Sequence, residues 1–423
     1  MGYRIIRFLT RIGFVTYFQK FYFINKENIP EDEPIIFAAN HPTAFLEPMI
    51  HAPFMRQISY FVLRGDYFEK PLISRILYSL HLVPIFRQRD GMEKLRENSN
   101  LFGMFHDMLH DKKNITIMVE GSHDHRKHLR KIQRGTARMS LGTYKEYGDE
   151  NITIVPMGAT FTDLHSIRSM VMIKFGKPIL LKDYLELYAE KERKAMLKIT
   201  ADIEKELRPC LVHIEDLDNY ESANFVLEMN RNDENVGLWK PFSRSSDLLD
   251  REMEIANTIN YMEESAHFFE HVHAYQSALS IEGVSDLGIG KAKHFNVWTT
   301  LLLLLFLPVY LITAFVHSPL IILVQRLKAK MKKVEFQVSI GFVAFTFGYP
   351  VLWLLWIIAA LLIPSFWFSV FVAIMPILAF VSLIYWDNAR YWNAARKFRG
   401  LKKETRDLLE QKRSEILDHF EVD

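Results

Sequence analysis

The sequence predicts an α/β fold, with a mixed sheet flanked by helices, followed by a helical segment and by C-terminal transmembrane helices. Three observations support this. Strand-length apolar runs alternate with helical stretches up to about residue 185, the next segment is charged and helical in pattern, and the remainder is lipid-compatible. With 423 residues, 49% of them hydrophobic, the chain has enough apolar material for a large core and a lipid-facing part.

Residues 26–185 are predicted to form the α/β domain. Six apolar runs in it have strand length: IIFAAN, ISYFVL, VPIF, ITIMVE, ITIVPMG and MVMIKFG. Between them lie stretches with helical periodicity, such as GMEKLRENSNLFGMFHDMLH. This alternation is typical of a sheet with helices packed on its faces.

Residues 1–25 are predicted to form an amphipathic helix that lies in a membrane interface. Four cations interrupt every apolar run there, which excludes a signal peptide: Arg4, Arg7, Arg11 and Lys20. Four aromatic side chains stand among these cations and suit the acyl boundary of a bilayer: Phe8, Phe14, Phe18 and Phe21. The alternative is a helix packed on its own domain.

Residues 186–290 are predicted to be a helical spacer or lid, because their apolar positions recur with helical spacing and they carry no recognisable chemistry. The only cysteine, Cys210, excludes an internal disulfide and a cysteine-based zinc site, and fits a reducing, cytosolic location. The formal net charge of +2 comes from balanced totals, so a nucleic-acid partner is not predicted.

Residues 291–386 are predicted to be a membrane domain, followed by a basic cytosolic tail at 387–423. The run at 338–386 is long enough for a hairpin that turns near Pro364 and Ser365. The run at 297–324 is either a re-entrant pair of half-helices broken near Pro308 or a tilted single span.

Three basic flanks surround the apolar runs: Lys291 with Lys293, residues 326–333, and the region from Arg390 to Lys403. The positive-inside rule places all three on the cytosolic side. This arrangement requires an even number of crossings between neighbouring flanks, which favours the re-entrant interpretation of the first run.

The junction after the strand IIFAAN has the most informative residues, HPTAFLEP. Since proline favours the first helical position, a helix is predicted to start at Pro42 with His41 at its cap. The positive pole of that helix lowers the pKa of His41 and keeps a neutral base available. A neutral imidazole can take a proton from an alcohol that attacks a thioester, and Glu47 is the candidate acid that orients it.

Basic residues follow two other strands. Arg87 and Arg89 come after VPIF, and Glu120 with Gly121 ends ITIMVE before a turn that contains Ser122, Arg126 and Arg130. Arginine side chains that donate two hydrogen bonds, and a glycine turn at a helix start, suit a phosphate monoester. The alternative for the arginines is a surface ion pair, and the alternative for the turn is a connecting loop. The nearby histidines, His123, His125 and His128, have poor spacing for a metal and lie among cations, so no metal is predicted.

Four motifs in this order give a resemblance to the glycerol-phosphate and lysophospholipid acyltransferase superfamily, over about residues 30–180. They are NHPTAFLEP, VPIFRQRD, VEGSHDHR and ITIVPMGATF. The sequence looks like the membrane-embedded branch that includes glycerol-3-phosphate acyltransferases. The resemblance implies that His41 is the general base, that Glu47 orients it, and that Arg87, Glu120 and Gly121 contact the glycerol phosphate of the acceptor.

Two departures from the family pattern stand out. Five residues separate His41 from its acid, where four are usual, so the turn absorbs the extra residue or Glu47 is misplaced. The third motif has Ser122 and His123 where an arginine is usual, and Arg126, Lys127 and Arg130 are the candidates to supply that charge.

The implied function is O-acyl transfer from acyl-CoA or acyl carrier protein to glycerol-3-phosphate or 1-acyl-glycerol-3-phosphate in phospholipid synthesis. The thioester is a co-substrate, and no cofactor is implied. The expected location is the bacterial inner membrane or the endoplasmic reticulum, with the lipid bilayer as partner and the catalytic domain facing the cytosol. The alternatives are a transacylase or hydrolase acting on lysophospholipids and a catalytically impaired lipid-binding protein; the oligomeric state is not predicted.

Overall fold

The computed structural model describes residues 2–56, 58–85, 102–233 and 241–420. The chain divides into two units. The N-terminal unit contains Met1–Val212, Phe242–Ser245 and Met331–Ser339. The C-terminal unit contains His213–Pro241, Ser246–Lys330 and Ile340–Asp423.

One mixed sheet is the centre of the N-terminal unit, which confirms the predicted fold class. Its strands are β1 (Lys20–Ile24), β2 (Ile35–Ala39), β3 (Ser59–Arg64), β4 (Leu82–Ile85), β5 (Asn114–Met118), β6 (Thr153–Phe161), β7 (Met170–Phe175), β8 (Ile179–Leu180) and β9 (Phe242–Ser243). The order is β4-β3-β5-β2-β6-β7-β1-β9, with β8 paired to β6. Neighbouring strands from β4 to β6 are parallel, whereas β6 and β7 are antiparallel.

Helices cover this sheet. They are α1 (Gly2–Tyr17), α2 (Leu46–Phe54), α3 (Pro71–Ser79), α4 (102–110), α5 (Gly135–Tyr147), α6 (Leu185–Glu190) and α7 (Glu192–Leu207). Every residue of β2 is buried, as expected of a central strand with both faces covered. The predicted start of the spacer at residue 186 is wrong, because α7 buries Ile199 and Ile203 in the same core as β2.

The N-terminal segment differs from the predicted interfacial helix over residues 1–25. The helix ends at Tyr17, and Lys20–Ile24 is a strand that pairs with β7. Three of the four aromatic rings assigned to the membrane are buried in the protein: Phe14, Phe18 and Phe21. Only Phe8 among them is exposed, beside Ile5 and Ile12. The alternative of packing on its own domain therefore describes the second half of this segment.

The C-terminal unit is helical, apart from its first and connecting residues. Its helices are α8 (Tyr220–Asp233), α9 (Asp247–Asn260), α10 (Ser265–Glu282), α11 (Asp286–Lys291), α12 (Val297–Ala329), α13 (Val334–Leu362), α14 (Phe366–Arg399) and α15 (Lys403–Leu417). The first turn of α13 lies in the N-terminal unit. Three of the helices, α12, α13 and α14, are long and apolar enough to cross a membrane, so this part of the chain associates with a bilayer.

Of the two alternatives predicted for the first apolar run, the pair of half-helices broken near Pro308 is wrong, because α12 continues through Pro308 and Pro319 as one helix. Proline removes a single backbone hydrogen bond, and apolar surroundings keep the remaining bonds intact. The second apolar run turns at residues 363–365, where α13 has ended and Ser365 caps the next helix by accepting from the N–H of Phe368 at 3.4 Å.

Candidate active site

His41 lies just past the carboxyl end of β2, where parallel strands bring their ends to one edge of the sheet. The neighbouring strand β5 ends at Met118, and the N–H of Val119 donates to the carbonyl of Ala39 at 2.9 Å. The carbonyl of His41 accepts from the N–H of Asp124 at 3.1 Å. The first and third sequence motifs are therefore bonded to each other through their backbones.

The helix that follows His41 starts later than predicted. It begins at Leu46, and residues 42–45 form a bend in which Thr43 Oγ1 accepts from the N–H of Leu46 at 2.9 Å. The prediction that His41 caps a helix starting at Pro42 is wrong, because the hydroxyl of Thr43 allows the helix to begin after the bend. Four residues therefore separate His41 from the first residue of α2.

Glu47 lies close to His41 despite the unusual spacing. Its carboxylate is buried, and Oε2 lies 3.5 Å from His41 Nδ1. The other interactions of this carboxylate come from Thr43, whose N–H donates to Oε1 at 2.6 Å and whose hydroxyl donates to Oε2 at 3.0 Å. The bend thus absorbs the extra residue, and Thr43 holds the acid in place. Sequence reasoning missed Thr43, although a hydroxyl four positions before the acid was a usable signal.

Glu120 joins the two loops around His41. Its Oε2 accepts from the N–H of His41 at 2.8 Å and from Nη2 of Arg130 at 3.0 Å. Its Oε1 accepts from the N–H of Arg130 at 2.8 Å. The side chain is buried, so these three hydrogen bonds compensate its charge and make it a brace for the backbone of His41.

The turn after Glu120 needs a glycine and is held by an arginine. Gly121 has φ +71°, a left-handed conformation that glycine adopts readily, and its N–H donates to the carbonyl of Met118 at 3.2 Å. Arg130 donates to the carbonyl of Ser122 and, at 2.5 Å, to its Oγ. The guanidinium of Arg130 is therefore engaged in holding the turn.

The remaining predicted cations have different surroundings. Arg126 donates through Nε to Oδ1 of Asp124 at 3.1 Å and through Nη2 to Oδ2 at 2.7 Å. Burial alone would raise the pKa of Asp124, but hydrogen bonds from Arg126 outweigh it and lower the pKa to about 2. Arg87 and Arg89 lie outside the described residues.

A cleft opens beside the His41–Pro42 turn. It is bounded by the basic loop at residues 125–128, the end of β6, and apolar side chains. One wall is fixed by Asn40, whose Nδ2 donates to the carbonyl of Ala159 at 3.0 Å and whose Oδ1 accepts from the N–H of Ala159 at 2.7 Å. The cleft is small, and it brings basic and apolar side chains together beside this turn.

His123 is a neighbour of His41 that sequence reasoning gave no role. Its ring stands edge-to-face to the His41 ring with the centroids 5.6 Å apart. Burial and, next, the nearby imidazole of His41 lower the pKa of His123. His123 therefore favours its neutral form beside the His41 ring.

Three further side chains could in principle hold a cation. Ligand atoms of Asp124, His125 and Glu335 lie within 4.8 Å of one another. Arg126, however, binds both carboxylate oxygens of Asp124, and its charge opposes a metal ion there. This arrangement is better described as an ion-pair and hydrogen-bond cluster.

The comparisons with known proteins concern the segment that contains this site. The family model described as Acyltransferase matches residues 20–160, which include His41, Glu47 and Glu120. The matched segment is about a third of the chain. The resemblance to the glycerol-phosphate and lysophospholipid acyltransferase superfamily is thereby confirmed, and we call this segment the acyltransferase domain.

Two relatives illustrate the similarity. Glycerol-3-phosphate O-acyltransferase 2 of Saccharomyces cerevisiae is 29% identical over 112 residues, which are 26% of this chain and only 15% of the length of the yeast protein. The crystal structure of the 1-acyl-sn-glycerophosphate (LPA) acyltransferase PlsC from Thermotoga maritima matches at 14% identity with a TM-score of 0.34, over 48% of this chain and 78% of that one.

Proposed function

We propose that this protein transfers a fatty acyl group from a thioester, acyl-CoA or acyl carrier protein, to a hydroxyl of glycerol-3-phosphate or 1-acyl-glycerol-3-phosphate. The observation that carries the proposal is the buried carboxylate of Glu47 at 3.5 Å from Nδ1 of His41, inside a segment of the Acyltransferase family. An imidazole beside a buried acid is the arrangement that general-base catalysis of alcohol attack needs.

The chemistry follows from which nitrogen faces the acid. Because Nδ1 of His41 faces Glu47, Nε2 is the atom that takes the proton of the acceptor hydroxyl. The hydroxyl oxygen then attacks the thioester carbonyl, the new C–O ester bond forms, and the C–S bond breaks. The proton held by His41 passes to the departing thiolate. Glu47 orients the ring and stabilises the transient imidazolium.

The phosphate of the acceptor needs cations that are available to it. Arg130 is engaged with Glu120 and Ser122, and Arg126 is engaged with Asp124. We assign the main phosphate contact to Arg87, with Arg89 less important. The resemblance of VPIFRQRD to the acceptor-binding motif of the family supports this assignment.

Arg87→Ala is expected to raise the KM for the phosphate acceptor roughly 30-fold or more, because a lost charged contact costs about 2 kcal/mol or more. The KM for the acyl thioester is expected to stay within about twofold. Steady-state kinetics with each substrate varied separately measures both. Arg75→Ala, an exposed arginine on α3, is the matched control. Equal increases in both KM values would show that Arg87 does not bind the phosphate.

The experiment that tests the proposed function is an acceptor panel. The protein in lipid is incubated with a labelled acyl thioester and, separately, glycerol-3-phosphate, 1-acyl-glycerol-3-phosphate or no acceptor, and the products are identified. A labelled glycerophospholipid formed with one of the acceptors is expected. Labelled free fatty acid at an equal rate in all three reactions would instead indicate a hydrolase.

The proposed location is a membrane whose cytosolic face carries the acyltransferase domain. Met331–Ser339 belongs to the same unit as Met1–Val212, and the sequence between His41 and Asn296 has no apolar run of spanning length. Both ends of α12 are therefore expected on one side of the membrane, which supports the single-sided placement of the basic flanks. A continuous helix of 33 residues, about 50 Å long, can satisfy this by lying along one face of the bilayer instead of crossing it.

Single cysteines at positions 293, 330 and 399 test this topology. Cys210, whose thiol pKa burial raises to about 12, is first replaced by alanine. A membrane-impermeant maleimide is expected to label all three positions from the cytosolic side, and a cysteine at Ser365 from the opposite side. Labelling of positions 293 and 330 from opposite sides would show that α12 crosses the membrane.

A further inference from the structure

The first turn of α13 contacts the bend that separates His41 from Glu47. Glu335 is buried in the N-terminal unit, and its backbone carbonyl accepts from the N–H of Ala44 at 3.2 Å. Ala44 lies within the bend, so this hydrogen bond restrains the segment that sets the distance between the base and its acid.

The same turn also contacts the loop on the other side of His41. Oε1 of Glu335 lies 3.3 Å from the backbone nitrogen of His125 and 3.3 Å from its Nδ1. The ring of Phe336 stands edge-to-face to His123 with the centroids 5.2 Å apart. Since His123 in turn stands against His41, its ring fills the space between the proposed base and Phe336.

We propose that Glu335 and Phe336 are positioning residues of the acyltransferase site. This inference rests on the proposed function. Acting through Ala44, His125 and His123, they hold the His41 imidazole at the angle at which Nε2 can take the acceptor proton. An imidazole that is displaced by a small distance or rotated loses much of its rate advantage, because proton transfer requires aligned atoms.

The two residues divide this work. Glu335 accepts hydrogen bonds from the backbone of both loops, through its carbonyl from Ala44 and through its side chain from His125. These bonds restrain mainly the distance between His41 and Glu47. Phe336 restrains a side chain, His123, and thereby limits how far the His41 ring can turn toward the Phe336 side. Neither residue is proposed to contact a substrate, so replacing either one should lower kcat and leave KM nearly unchanged.

Phe336→Ala tests the side-chain contact. The expected result is a fall in kcat of about tenfold to 100-fold, with the KM values for donor and acceptor within about twofold. Phe336→Tyr, which keeps the ring, is expected to retain most of the activity. Phe347→Ala, which removes a partly buried phenylalanine three turns further along α13, is the matched control and should leave kcat unchanged.

A double-mutant cycle with His123→Ala separates positioning from a general loss of packing. If Phe336 acts through His123, adding Phe336→Ala to His123→Ala should lower kcat by less than about twofold. The inference would be overturned if Phe336→Ala lowered kcat by the same factor with and without His123, or if it acted mainly on KM.

Hydrogen exchange gives a measurement that does not require turnover. Glu335→Ala removes the side-chain acceptor for His125, and Phe336→Ala removes the ring against His123, so each should increase amide exchange in peptides that cover residues 122–126, whereas Phe347→Ala should not. Unchanged exchange in these peptides for both variants would overturn the positioning role. If the unmodified protein showed no acyl transfer, the proposed function would be refuted. The exchange measurement would still test whether Glu335 and Phe336 restrain the loops beside His41.

Discussion

His41→Ala is expected to lower kcat for acyl transfer by about 10²–10⁴-fold, which is the contribution that a positioned general base makes. The protein should remain folded and membrane-bound, because the side chain lies at the edge of the sheet and its removal takes little volume from the core. Initial rates of thiol release and ester formation measure the loss, and thermal unfolding of the same preparation measures stability.

Glu47→Gln is the informative companion to this variant. The amide can still accept from Thr43 but carries no charge to stabilise the imidazolium, so a smaller loss of kcat is expected than for His41→Ala. His106→Ala removes a histidine on α4 that pairs with exposed Glu146 and serves as a control for histidine loss. Wild-type turnover by the His41 variant would refute the assignment of the base.

Glu120→Ala should have the largest effect on stability. It leaves the N–H of His41, the N–H of Arg130 and one face of the Arg130 guanidinium without their acceptor. Removing one partner of a largely buried ion pair costs roughly 3 kcal/mol, equivalent to a fall in melting temperature of roughly 6 °C for a unit of this size. Activity should fall as well, because Glu120 braces the backbone of the proposed base.

The outcome also separates two roles for Glu120. The family resemblance implies a contact with the acceptor, which predicts a raised KM with little change in stability. The three protein donors around the carboxylate predict the opposite pattern, a lower melting temperature with reduced kcat. Glu31→Ala, an exposed acid paired with Arg56, is the matched control for both measurements.

Much of the fold could be predicted because its signals are local. The apolar runs that became β2, β5 and β6 are continuous in the sequence, and such runs are typical of strands covered on both faces. The pairing of His41 with Glu47 could also be proposed, since both lie within one short segment at the end of β2.

Other features depend on contacts that sequence patterns do not encode. Phe14, Phe18 and Phe21 have the spacing of a membrane-facing helix, yet β1 pairs with β7 and carries Phe21 into the core. Pro42 predicts a helix start at its own position, whereas α2 begins at Leu46, whose N–H donates to the hydroxyl of Thr43. Glu335 lies far along the chain from His41, so no local signal connected them.

The central claim is that His41 and Glu47 catalyse acyl transfer from a thioester to a hydroxyl. The measurement that tests it most directly is the stoichiometry of the reaction in purified protein. Thiol release from a labelled acyl thioester and ester formation on the glycerol-phosphate acceptor are followed together, for the unmodified protein and for His41→Ala. One ester for each thiol, with both signals lost in the variant, is the predicted result; thiol release without ester, or equal ester formation by the variant, would contradict it.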